Sequence, residues 1–175
     1  MKNLDITKVM DATTELIINK PWAGACYATS AIHYILLDQF DIESSPKLGV
    51  VDIIGKKFDH GWIEIDNCIY DTAVILGEVS SFPEVFGSEG VRGNVNALDS
   101  EYNGFKINYR VDMEVDIETL QELSSFGKFM LNRPYFNQKI DYWDLTIHIG
   151  NYLGVNLERN ALISKYSDVT WELTI

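Results

Sequence analysis

Apolar positions in the first forty residues recur at helical spacing. Ile6, Val9, Met10, Thr13, Leu16 and Ile17 predict a first helix over 5–19, with one stripe turned to a core. Pro21 ends it, since the residue before a proline is pushed out of helical geometry. Ala28, Ala31, Ile32, Ile35 and Leu36 fall at i, i+3, i+4, i+7 and i+8 and predict a second helix from about Cys26 to Gln39. Gly24 lets the backbone turn sharply before it. The period then changes. "KLGVVDIIG" (47–55), rich in branched residues and closed by glycine, predicts a strand, and "HGWIEIDNCIYDTAV" (60–74) a hairpin. Five glycines and a proline mark 75–104 as an irregular excursion. "FKINYRV" (105–111) alternates as a strand, and "DIETLQELSSFGKFML" (116–131) predicts a helix with Asp116 as its N-cap. "YWDLTIHIGNYLG" and "LERNALISKY" predict two further helices within 138–175. Helix, then strands, then helices again is the pattern of an α+β fold.

Composition narrows the classes. A chain of 175 residues, 46% apolar and 12% aromatic, is long enough and greasy enough for a single folded domain with a real core. With 26 acidic against 14 basic residues the net charge is −12. Phosphate backbones repel such a chain, and Lys56-Lys57 is too small to be a basic patch, so nucleic acid is excluded as a partner class. No window approaches the roughly 18 apolar residues of a membrane span. The opening "MKNLDITKVMDATTELIINK" lacks the unbroken apolar run of a secretion signal. A cytoplasmic protein with no membrane partner is the expectation. Cys26 and Cys68 are too few for a disulfide framework and are expected as free thiols, and with only three histidines they do not make a zinc finger.

Cys26 opens the second helix. Unpaired N–H groups in a first helical turn carry partial positive charge, which favours the thiolate, the nucleophilic form. Cysteine is also among the most buried residue types and packs as a small hydrophobe, so its position alone leaves both readings open. A nucleophile needs a base, and the base an orienting partner. The hairpin supplies both. If Asp66-Asn67 is a two-residue turn, Ile65 faces Cys68, Trp62 faces Asp71 and His60 faces Ala73. His60 and Asp71 then share a sheet face as diagonal neighbours, roughly 7–8 Å apart at the backbone, and a one-residue slip would separate them. Glu64 shares that face and is the alternative orienter. Cys68 falls on the opposite face and reads as a structural thiol. His33, two helical turns and roughly 10 Å beyond Cys26, reads as a packing histidine with its hydrogen bonds satisfied. His148 is the reserve base. A metal set of His60, Glu64 and Asp71 is unspecific, and "SEGVRGN" (88–94) lacks the strand and helix that a phosphate loop needs. No cofactor or metal is expected. Acidic groups at a site rim would favour basic or amine-bearing substrates.

"GACYATSAIHYILLDQFDI" followed by "FDHGWIEIDNCIYDTAV" resembles the core of the transglutaminase-like branch of the papain-like cysteine enzymes. Members of that branch show Gly-x-Cys opening a helix with a Leu-rich end, then a strand, His-x-Trp-x-Glu on the next strand and an Asp on the one after. The matching residues are Gly24 and Cys26, Leu36 and Leu37, His60, Trp62 and Glu64, and Asp71. Gly61 stands where many relatives have Ala, a change expected to be harmless. Peptidases that remove leaders from lasso peptides have a similar hairpin, as do arylamine N-acetyltransferases more loosely. The resemblance covers about residues 22–74, and the remainder, 75–175, matches nothing in it. It implies a papain-like fold in which a Cys-bearing helix packs on an antiparallel sheet carrying His and Asp. It further implies a hydrolase or acyl transferase acting on an amide bond of a peptide or protein, with an amine as possible second acceptor, through Cys26, His60 and Asp71. Asn19 and Trp22 are the nearest side-chain donors to complete an oxyanion hole with the Cys26 N–H. A silent member of the branch, serving as a binding or immunity-type module, is the alternative.

Overall fold

The computed structural model describes residues 2–19, 25–75, 90–99, 101–102, 104–131, 133–135 and 138–174. Helix α1 spans Lys2–Asn19 and α2 spans Ala25–Asp38, close to the expected bounds; Pro21 and Gly24 lie outside the described residues. Ile6, Val9, Met10 and Thr13 of the α1 stripe are buried. Helix α2 is buried almost all round, and its small residues (Ala25, Ala28, Thr29, Ser30, Ala31) let neighbours approach closely. Ile32, Ile35, Leu36 and Leu37 are fully buried, each contributing roughly 2 kcal/mol of gross hydrophobic stabilisation. The helix stops where Asp41 takes a left-handed φ of 54° and the Ile42 N–H closes back on the Leu37 carbonyl at 3.1 Å, a conformation aspartate tolerates.

Strands β1 (Ser45–Ile53), β2 (Lys56–Ile65) and β3 (Cys68–Asp71) form consecutive hairpins. The β2–β3 register pairs Ile65 with Cys68 and Ile63 with Tyr70, with Asp66 and Asn67 both at positive φ in the turn, as the spacing predicts. The β1–β2 turn was not legible: it is Ile54-Gly55, with φ of 53° and 79°, and a β-branched residue is a poor marker of left-handed backbone. Inside the segment expected to be irregular lie β4 (Val91–Asn96), which pairs with β3, and β5 (Glu101–Tyr102), which pairs with β6 (Phe105–Asn108). Residues 76–89 of that segment are outside the described part. The sheet order is β4-β3-β2-β1-β6-β5, antiparallel throughout except that the short β9 (Glu172–Leu173) lies parallel to β1. The fold is thus α+β with a mixed sheet, in which the strands carrying His60 and Asp71 pair antiparallel as expected and β9 adds a parallel pair.

The expected helix over 116–131 is two, α3 (Ile117–Glu122) and α4 (Phe126–Phe129). Asp116 caps α3 as predicted, its side chain accepting from the Glu118 N–H at 2.8 Å. The break has a tertiary cause. The Phe126 and Gly127 N–H groups bond to the Val169 and Ser167 carbonyls at 2.8 and 2.9 Å, and Ser125 caps the new helix on the Lys128 N–H at 3.2 Å. The hairpin β7–β8 (Arg133–Tyr135, Gln138–Ile140) precedes α5 (Tyr142–Tyr152) and α6 (Arg159–Tyr166).

Two cores flank the sheet. Leu48, Ile63 and Ile65 pack with α1, α2, α5 and the aromatic residues of α4 on one face. Val51, Ile53, Trp62, Ile69, Val95, Ile107 and Tyr109 pack on the other. The second face is concave. Tyr109, just past β6, donates to Asp71 on β3 at 3.0 Å, although three strand spacings separate β6 from β3, about 14 Å in a flat sheet. The sheet therefore curls around this face, and His60 sits within the curl.

Candidate active site

Strand alternation sets the first relation. Phe58, His60, Trp62 and Glu64 share the concave face, while Gly61, Ile63 and Ile65 turn to α2. His60 and Asp71, on adjacent strands and one face, meet directly: His60 Nε2 lies 2.7 Å from Asp71 Oδ2. Both are buried, at 4% and 2% exposure. The Asp71 carboxylate has two further donors, the Ala73 N–H to Oδ1 at 3.0 Å and the Tyr109 hydroxyl to Oδ2 at 3.0 Å, so a charge that would be costly to bury unpaired is fully held.

The approach of α2 sets the second relation. A Cβ on Gly61 would stand 3.0 Å from Tyr27 Cδ1, 3.1 Å from Ser30 Oγ and 3.4 Å from the Cys26 carbonyl oxygen. Only a residue without a side chain lets the first turn of the helix lie so close on β2. An alanine at this position would crowd those three atoms. Tyr27 ties the two elements together, its hydroxyl donating to the Asp59 carbonyl at 3.2 Å, so the neighbour of the cysteine bonds the neighbour of the histidine. Burial, then the charges of Cys26 and Asp59, raise the Tyr27 pKa above its ordinary value.

Cys26, buried in the first turn of α2, lies close enough to the His60 side chain to act on its protonation. With Nε2 engaged by Asp71, Nδ1 is the nitrogen left to face the sulfur. Burial alone would lower the His60 pKa; the Asp71 carboxylate and Cys26 outweigh it and hold it raised, at about 10. The ring is walled by Phe58, edge-on with centroids 5.5 Å apart, and by Trp62, stacked at 6.5 Å.

Glu64 does not orient the histidine. Its Oε1 accepts from Trp62 Nε1 at 3.1 Å, and both oxygens accept from Arg110 Nη2, at 3.1 and 3.3 Å. That arrangement also breaks up the His60, Glu64, Asp71 ligand set, and among the described residues no group of three or more His, Cys, Asp or Glu is placed to hold a metal ion. Trp22 and the side chain of Asn19 lie outside the described residues, so the expected oxyanion donors do too. Cys68 is a half-buried free thiol on the face away from His60. His148 is exposed on α5. His33 is buried as expected, but its Nε2 has no hydrogen-bond partner among the described residues, unlike the satisfied histidine expected; burial lowers its pKa to about 3, against a raising effect of Asp71.

Sequence reasoning missed Tyr109, Tyr27 and Gly61. Tyr109 is 38 residues from the carboxylate it bonds, and nothing in local periodicity marks it. Gly61, flanked by His60 and Trp62, carried a signal: a glycine inside a strand often marks a close backbone approach. No helix among the described residues is long and apolar enough to cross a membrane. Comparison of the chain with protein-family models, curated proteins and solved structures finds no match.

Proposed function

We propose that the protein is a cysteine-nucleophile hydrolase or acyl transferase of transglutaminase-like type, acting on amide bonds of peptides or proteins. One observation carries this: a buried imidazole is held by Asp71 at 2.7 Å, and the thiol of a helix-opening cysteine lies close enough to help raise its pKa. In the proposed reaction His60 already holds the proton that Cys26 has given up, as an imidazolium beside a thiolate, and the thiolate attacks the carbonyl carbon. The C–N bond breaks as the amine leaves with the proton from His60 Nδ1, and a thioester remains. His60 then deprotonates water, or an incoming amine, whose attack on the thioester releases the product and returns the thiol. Asp71 keeps Nε2 protonated and the ring oriented throughout.

Iodoacetamide labelling at pH 6–7, followed by peptide mass spectrometry, tests the reading. Cys26 is expected to react at least about tenfold faster than Cys68, and His60→Ala to abolish the difference. Incubation with a small activated ester such as p-nitrophenyl acetate is expected to leave an acetyl group on Cys26. An unreactive Cys26 in the native protein would show instead a scaffold with a silent site.

A further inference from the structure

We propose that Tyr109 is a positioning residue of this site, fixing the Asp71 carboxylate at the oxygen that holds His60. The inference rests on the Cys–His–Asp reading above but concerns a residue outside it. Asp71 Oδ2 receives two donors, His60 Nε2 at 2.7 Å and the Tyr109 hydroxyl at 3.0 Å. Oδ1 accepts from the Ala73 N–H at 3.0 Å. The phenol thus occupies one acceptor direction of Oδ2 and leaves the imidazole the other.

Tyr109 is itself held by a closed ring of contacts. It is 3% exposed and packs against Trp62 with centroids 5.1 Å apart at 64°. Trp62 stacks on His60 and donates to Glu64, and Glu64 binds Arg110, the residue next to Tyr109. Arg110 is also fixed by its Nε donating to the Ala97 carbonyl at 3.0 Å. Phenol, carboxylate, imidazole and indole therefore form one loop, with the Glu64–Arg110 pair as a second fastening. The β2–β3 hairpin pairs without Tyr109, so the hydroxyl is not needed to bring His60 and Asp71 to one face. What it adds is a second donor on the oxygen that holds His60, fixing the carboxylate together with the Ala73 N–H on the other oxygen. It also adds charge sharing: a donor on a carboxylate weakens that oxygen's pull on the imidazolium.

Tyr109→Phe keeps the ring and removes only the hydroxyl. In the full chain with 15N-labelled histidine, the His60 ring titration is expected to move up by about half a pH unit, because His60 becomes the sole side-chain donor to Oδ2. The alkaline limb of Cys26 alkylation by iodoacetamide should move with it, and turnover of p-nitrophenyl acetate should fall about tenfold at unchanged KM. Site-specific 3-fluorotyrosine at 109, a stronger donor, is expected to move the His60 titration the other way, and it decides the matter if the phenylalanine variant does not fold. A His60 titration identical in the parent and in whichever of these variants folds would show that Tyr109 merely packs. That outcome is separate from failure of the triad reading, in which the parent itself shows no His60-dependent reactivity of Cys26.

Discussion

His33 and His60 are both buried, at 1% and 4% exposure, yet their surroundings push their protons in opposite directions. His60 has Asp71 and Cys26 close by and is raised to about 10, while His33, whose Nε2 has no partner among the described residues, is lowered by burial to about 3. An unfolded histidine titrates near 6.5. Between about 6.5 and 10 the folded state holds a proton on His60 that the unfolded chain lacks, so this contribution is full below 6.5 and is lost as pH rises. Between about 6.5 and 3 the unfolded chain holds a proton that His33 refuses, so stability falls as pH falls. Urea denaturation across pH should therefore show greatest stability near neutrality. His33→Met should flatten the slope between pH 5 and 6.5 without lowering the maximum by more than about 1 kcal/mol, since an apolar chain replaces an unsatisfied polar one. His60→Gln should flatten the slope between pH 7 and 10. An acid slope unchanged in His33→Met would assign it to the carboxylates.

The central contact between elements is the first turn of α2 on β2, and Gly61 governs it. Ala at 61 would put its methyl within 3.4 Å of three atoms of the α2 turn, tighter than ordinary packing, so helix and strand must part by a few tenths of an ångström. Overpacking of this kind costs about 1–2 kcal/mol. The greater effect is expected at the site: Gly61→Ala should slow Cys26 alkylation severalfold while the circular dichroism spectrum stays unchanged, and an unchanged rate would show that the thiol reaches His60 independently of this contact. Elements whose cause is local were legible: the α2 stripe, the Asp116 cap and the Asp66-Asn67 turn that puts His60 and Asp71 on one face. Those decided by tertiary contact were not. The 116–131 periodicity is helical throughout, yet the chain breaks because the Phe126 and Gly127 N–H groups find the 167–169 backbone. Ile54-Gly55 forms the two-residue β1–β2 turn despite an isoleucine that ordinarily avoids positive φ.

At the scale of the whole molecule the end of the described chain binds its beginning. The Trp171 indole N–H donates to Ser30 Oγ at 2.8 Å, across 141 residues, and its ring packs on Phe126 and Phe129 at 4.5 and 5.5 Å. Ser30 lies on α2 one turn beyond Cys26, so this anchor braces the helix that carries the thiol. Beyond it the chain joins the sheet: the Thr174 N–H bonds the Leu48 carbonyl at 2.9 Å, and Lys47 pairs with Glu172. Thr174 occupies the space a side chain on Gly49 would fill, beside Trp62 and across from His60 in register. The expectation of helices in 138–175 missed this strap because a two-residue strand has no period to detect; its register comes from β1. Trp171 thus anchors to the helices the segment whose next residues, Glu172 to Thr174, join the sheet. Trp171→Ala should cost about 3–5 kcal/mol, the usual range for emptying a buried aromatic site, and Trp171→Phe about 1 kcal/mol for the lost hydrogen bond. Amide exchange at Thr174 should accelerate far more than at Ile63 in the alanine variant, because the strap detaches before the β1–β2 pair opens. Equal acceleration at both would mean that the strap and the central hairpin unfold as one unit.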